Sequence, residues 1–195
     1  MINGSFELQI YEKYSFVGEV CIGSDLQRKE FLNCVFRKCD FSGSKFSGTL
    51  FIDCNFVDCN LSNVKVDNCS FQNVAFENCK IIGVDFSSVK SLLVEWSFKG
   101  CIIEICNFGR LDIRKTIFVD CAIRESDFSN ANLSECDFSG SDLQGSKFQD
   151  VDLRKADLSK ARNYYIDPMQ NKIKGAKFSY PDVLALLYSF GIEVE

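Results

Sequence analysis

Eleven cysteines and several closely spaced carboxylates are the groups in this chain whose types and spacing could do chemistry. Cys39, Cys59 and Cys79 recur at intervals of twenty, as do Cys34 and Cys54. Such a series suits a disulfide ladder or a metal column if the fold stacks residues twenty apart. The competing reading is that cysteine serves as a small buried hydrophobe. In-register parallel side chains do not easily reach the disulfide torsion, and no CxxC pair exists, so the second reading is favoured. Glu125 with Asp127, and Asp150 with Asp152, could act as acid and base. Their plainer role is a solvated face. Histidine is absent, which removes imidazole bases, His-containing triads and most zinc sites. No Gly-rich phosphate loop and no GxSxG motif appears. No cofactor, metal or small-molecule substrate is implied, and an enzyme is disfavoured.

The elements that would hold these groups follow from the phenylalanines, of which there are nineteen. Every fifth residue from Leu26 to Phe86, and again from Ile103 to Leu158, is Phe, Leu, Ile or Val. A second beat, two residues earlier, is almost always small, as at Ser44, Cys59, Val84, Cys121, Ala131 and Ser141. Between the beats stands a polar residue, often Asp or Asn, as at Asp40, Asn55, Asp127 and Asp137. Neither a helical period of 3.6 nor a strand period of 2 places every fifth residue on one side. A chain that turns a corner every five residues does. Four corners close a square coil of twenty residues, with large side chains on the axis, and successive coils stack at about 4.8 Å. The expected organisation is an N-terminal cap and irregular first coil over residues 1–25, an array over 26–158, and a C-terminal cap over 159–195.

Phe86 and Ile103 are seventeen residues apart, so the stretch 87–102 holds an insertion of two, seven or twelve. It contains Trp96, the one tryptophan. Ser91, Leu92, Leu93, Glu95 and Trp96 either protrude as a contact loop or fold back as a bulge. Near the C-terminus, SYPDVLALLYSFGIEVE reads as a short α-helix, capped at Ser179 or Tyr180 and stopped by Gly191. Val183, Leu184, Leu187 and Phe190 form its apolar side, and Ile192 beyond the stop is counted with them as interface. That side is expected both to plug the open coil and to join two copies in a homodimer.

The segments DFSGSKFSG, CNFVDCNL, ANLSECDFSGSDLQGSKF and VDLRKADL resemble the pentapeptide-repeat family, whose unit is Ala-(Asp/Asn)-Leu-X-X. The resemblance implies an all-β solenoid, a right-handed quadrilateral β-helix. Chain length, the mid-array interruption and the C-terminal ending look most like the gyrase-protecting group, which includes the Qnr fluoroquinolone-resistance proteins, MfpA, the microcin B17 immunity protein and the albicidin-resistance protein. The ending resembles the last of these in particular. The resemblance implies a homodimeric rod that mimics DNA, binds DNA gyrase or topoisomerase IV, and relieves poisoning by an antibiotic or toxin. The Qnr proteins carry two loops, whereas this array shows one interruption. A plain interaction scaffold with another protein partner is the alternative.

Charge bears on the mimicry. The chain carries net −5, and residues 120–160 hold nine acids against five bases. Duplex DNA carries about one charge per 1.7 Å, so whole-field mimicry is weak and a local acidic stripe is expected. Asp127, Asp137, Asp142, Asp152 and Asp157 are its candidates. The negative balance disfavours direct binding of nucleic acid. No apolar run approaches membrane-spanning length, and no signal-peptide pattern opens the sequence, so a cytoplasmic setting is expected.

Overall fold

The computed structural model describes residues 6–90 and 95–192. The chain winds as a four-sided parallel β-solenoid. Its first face begins with strands Ile10–Glu12, Glu30–Leu32, Leu50–Ile52 and Ser70–Gln72, in that order. The second face carries Ser15–Val17, Val35–Arg37, Asn55–Val57, Val74–Glu77, Trp96–Lys99 and Ile117–Val119. The third includes Lys80–Ile82, Ile102–Glu104 and Ala122–Arg124. Single parallel bridges hold the fourth, as in Asp25 to Lys45 and Asn107 to Asp127.

All twenty-five residues of the large beat point inward, and none is more than 6% exposed. Phenylalanines in adjacent coils lie nearly parallel, with centroids about 5 Å apart, as in Phe98–Phe118–Phe138. Rings on neighbouring faces meet edge to face, as in Phe118 with Phe128. Both arrangements suit the aromatic quadrupole.

Two local devices turn the chain. The Asp or Asn before a central residue accepts the backbone N–H two residues on, as Asp40 does from Ser42 and Asp137 from Ser139 (both 2.9 Å). This side-chain turn explains why Asp and Asn recur there. The second residue after the centre takes a left-handed φ, near +50° to +75°, at corner after corner. Gly, Asn and Asp tolerate that region best. Ile105 is the poorest fit, a β-branched side chain at φ 54° that is also 63% exposed. Replacing it by Asn should stabilise the fold by about 1 kcal/mol, which raises Tm by roughly 2–4 °C. Calorimetry checks this, and a lower Tm would show that Ile105 packs usefully.

The cysteines are all free and buried. Cys39, Cys59, Cys79, Cys101 and Cys121 form one column, and each thiol donates to the carbonyl of a central residue in the coil before. The acceptors are Phe16, Phe36, Phe56, Phe76 and Phe98, at 3.3–3.6 Å. Thr49 and Ser141 hold equivalent positions and donate in the same way, to Leu26 and Phe118. Cysteine is thus one of several small donors that fit this slot. Burial pushes the Cys54 thiol up to about 12 and Cys106 up to about 11, which keeps both protonated.

The regular coil is longer than the repeat beat alone indicates. Tyr11 and Phe16 stack on Phe31 and Phe36, each at 5.1 Å, so the coil is already regular within the stretch expected to be an irregular cap. At the other end, Lys177–Phe178 pairs with Asp157–Leu158. Asn171 is buried beneath this turn, donating to the Phe148 carbonyl and accepting from the Val151 N–H.

Candidate partner-binding surfaces

The interruption is an insertion of two residues. Before it, partners in adjacent coils are twenty apart, as in Phe56 and Phe76; across it they are twenty-two apart, as in Phe76 and Phe98. The spacing of twenty then returns with Phe98 and Phe118. Trp96 does not protrude. It occupies a slot that elsewhere holds a small residue, is 3% exposed, and donates its indole N–H to the Phe71 carbonyl at 2.9 Å. Its ring packs on Phe71, Phe86 and Phe98. Of the two readings of this stretch, Trp96 follows the bulge that folds back onto the coil, and its place among the exposed contact residues is corrected: its ring area and its donor are both satisfied inside. Glu95 is exposed, at the rim of a shallow groove of about 420 Å3 that Asn73, Ser97, Arg114 and Lys115 also line. Ser91, Leu92 and Leu93 lie outside the described residues.

The five candidate acids do not form one face. Asp127 stacks between Asn107 and Lys147 on the fourth face, and Asp142 between Ala122 and Arg162 on the third. Asp152 stacks between Asn132 and Lys172 on the first, while Asp137 and Asp157 are vertical neighbours on the second. The reason is geometric: steps of five walk around four sides, and only residues twenty apart share one. Nor are these carboxylates free. Asp142 is buried, accepting from Arg124 Nη2 at 2.9 Å and Asn163 Nδ2 at 2.8 Å. Burial opposes its ionisation, but these hydrogen bonds outweigh it and hold the group below the usual carboxylate range. Arg154 holds Asp152 in the same direction, at 2.6 Å. Asp157 is lowered first by Ser159 and also by Lys177 at 3.1 Å. Asp127 and Asp137 cap their own turns. The expectation of a single acidic stripe is corrected accordingly.

The C-terminal helix spans Asp182–Phe190 with 3-10 rather than α spacing, and Gly191 ends it at φ 64°. Pro181 occupies the N-cap position and no side chain caps the helix, so Ser179 and Tyr180 do not take that role. In a 3-10 helix, residues three apart are eclipsed, which aligns Leu184, Leu187 and Phe190. Ala185 and Leu186 pack against the end of the core, a plugging role that the α-helical reading of the stripe did not assign to them. Val183, Leu184 and Leu187 are half-buried, whereas Phe190 and Ile192 are each 51% exposed. Among the described residues, no cluster of His, Cys, Asp or Glu could hold a metal ion, and no helix is long and apolar enough to cross a membrane.

Residues 29–93 and 92–162 match the family profile described as a pentapeptide repeat region. No curated protein sequence matches the chain. Among solved structures, a trypsin-treated variant of QnrB1, described as a plasmid-mediated fluoroquinolone resistance protein, is 20% identical with a TM-score of 0.72. The alignment covers 100% of this chain and 95% of that one. Full-length QnrB1 aligns with a TM-score of 0.61 at 20% identity, over 94% of this chain and 100% of its own. HetL, from the cyanobacterium Nostoc sp. strain PCC 7120, described as involved in heterocyst differentiation regulation, has a TM-score of 0.71. It is 15% identical and covers 89% of this chain and 87% of its own.

Proposed function

Because the chain belongs to the pentapeptide-repeat family, we propose that it is a non-catalytic, DNA-like rod that binds DNA gyrase, or topoisomerase IV, and protects it from an antibiotic or toxin. The observation that supports this reading best is that the coil matches the architecture of QnrB1, a fluoroquinolone resistance protein, over nearly all of both chains. Shape is what the rod offers such an enzyme. Its acids are spread over four faces and several are paired with Arg or Lys, so charge contributes less than a straight, regular cylinder. Two copies join through Val183, Leu184, Leu187, Phe190 and Ile192, where apolar groups remain exposed beside the plugged end.

The test is a supercoiling assay with purified gyrase and a fluoroquinolone poison. The protein should restore supercoiling. The Asp127→Asn, Asp137→Asn double variant should retain most of that rescue, because asparagine keeps the turn acceptor and removes only the charge. No rescue by the unaltered protein would overturn the reading. Removing residues 91–98 is an unsuitable probe, since it takes Trp96 and Phe98 out of the core. A second reading, an interaction scaffold for a different protein, is favoured by the comparable likeness to HetL, whose description concerns differentiation. It expects no effect on supercoiling.

A further inference from the structure

From Asp112 onward, the first face and the corner that follows it gather bases in an otherwise acidic molecule. Asp112, Asn132, Asp152 and Lys172 stack there in successive laps, each bridged in parallel to the next. Arg114 with Lys115, Arg154 with Lys155, and Lys174 extend the same laps, since Lys115 N–H donates to Ser134, Glu135 N–H to Arg154 and Lys155 N–H to Lys174. All six bases are exposed. Against them stand Asp112, Glu135 and Asp152, so the patch carries net +3 in a chain of net −5, and everything else carries −8. Arg114 pairs with Asp112 and Arg154 with Asp152. Among the described residues, Lys115, Lys155, Lys172 and Lys174 join no ion pair. Lap by lap the net charge of the patch runs +1, −1, +1 and +2. Stacking places the later laps about 4.8, 9.6 and 14.4 Å above the first.

We propose that this face receives an acidic α-helix of a protein partner, laid along the rod. In a helix, residues i, i+3, i+7 and i+10 share one side, with the later three about 4.5, 10.5 and 15 Å beyond the first. They therefore fall opposite successive laps. An extended strand presents one side about every 6.7 Å and drifts out of step with the laps. Complementary charge then requires acids at i, i+7 and i+10, and a base at i+3 to meet Glu135. Arg114 and Lys115 also line the groove of about 420 Å3 beside Trp96, which gives one end of the row a recess for the first acid. A nucleic-acid backbone fits less well. Its charges are all of one sign, whereas Asp112, Glu135 and Asp152 interrupt this row, and no exposed aromatic ring lies on the patch for bases to stack on. The inference does not depend on the topoisomerase reading, and none of the residues assigned to the seam between copies takes part.

The experiment follows the fluorescence anisotropy of labelled, alanine-based helical peptides as the full chain is added at low salt. The first peptide carries Glu at i, i+7 and i+10 and Lys at i+3. A second exchanges the two residue types, and a third scrambles the first at equal composition. The first should bind saturably, at least fivefold more tightly than either of the others, and should weaken as salt is raised. The Lys115→Glu, Lys155→Glu double variant should lose at least fivefold for the first peptide and bind the exchanged one more tightly than the unaltered protein does. Corners of this kind accept glutamate, as Glu125 and Glu135 show at φ 49° and 62°, and the gain for the exchanged peptide separates lost charge from lost folding. The proposal fails if the first peptide does not saturate, if the scrambled one binds equally well, or if the double variant binds the first unchanged. Tighter binding of a single-stranded DNA oligonucleotide of the same length would also overturn it, by assigning the face to phosphate.

Discussion

Phe118→Ala should destabilise the protein by about 3–5 kcal/mol, the usual cost of deleting a buried aromatic ring. Phe118 is fully buried and sits mid-stack, 5.0 Å from Phe98 and 4.9 Å from Phe138, with Phe108 and Phe128 at its edges. The backbone around it is clamped by ladders to the coils on both sides, so the walls cannot collapse into the gap. In a repeat array each coil contacts only its neighbours, and a mid-array cavity weakens two interfaces together. A fall in Tm of roughly 6–20 °C follows for a domain of this size. The same change at Phe16, which among the described residues has the half-buried Phe6 beyond it towards that end, should cost less. Denaturant unfolding of both variants checks the order, and equal losses would mean that the coils do not unfold as neighbours.

Trp96→Ala should be comparably damaging, at about 3–5 kcal/mol. The substitution removes the ring that packs on Phe71, Phe86 and Phe98 and strips the Phe71 carbonyl of its donor. Trp96→Phe keeps much of the packing and loses only the hydrogen bond, so a loss of about 1–3 kcal/mol is expected. The intrinsic fluorescence of the unaltered chain should be blue-shifted and poorly quenched by acrylamide. If Trp96→Ala left stability unchanged while removing a partner's binding, the indole would have to be a surface contact after all. These two substitutions separate a residue that completes the core from one that meets another protein.

The axis of the fold was legible because its physics is periodic. Phe41, Phe56, Phe118 and Phe138 mark a five-residue beat that only a cornered coil can bury, and they are buried. The corners also carry a sequence signal, in the Gly, Asn and Asp that recur two places after many of the centres. The burial of Phe98 was missed, and that of Trp96 left open, because the beat resumes out of phase; counting back by five from Ile103 finds Phe98, and by two more finds Trp96. The acids were misplaced for a different reason. Asp127, Asp137 and Asp142 look like a run along the chain, but the arithmetic that stacks Cys39 on Cys59 sends them to three different sides. The 3-10 helix was legible as a helix, not in its spacing, since leucines three apart fit either form.

The two-residue insertion before Trp96 has a consequence for how such a rod can change length. The ladder spacing lengthens once, from twenty to twenty-two, and the next coil is regular again. The change of interval is confined to one lap. A tandem duplication of twenty codons would therefore add one complete lap, about 4.8 Å tall, and leave every other pairing intact. Overall reach is thus adjustable in quantised steps by simple recombination, while girth stays constant.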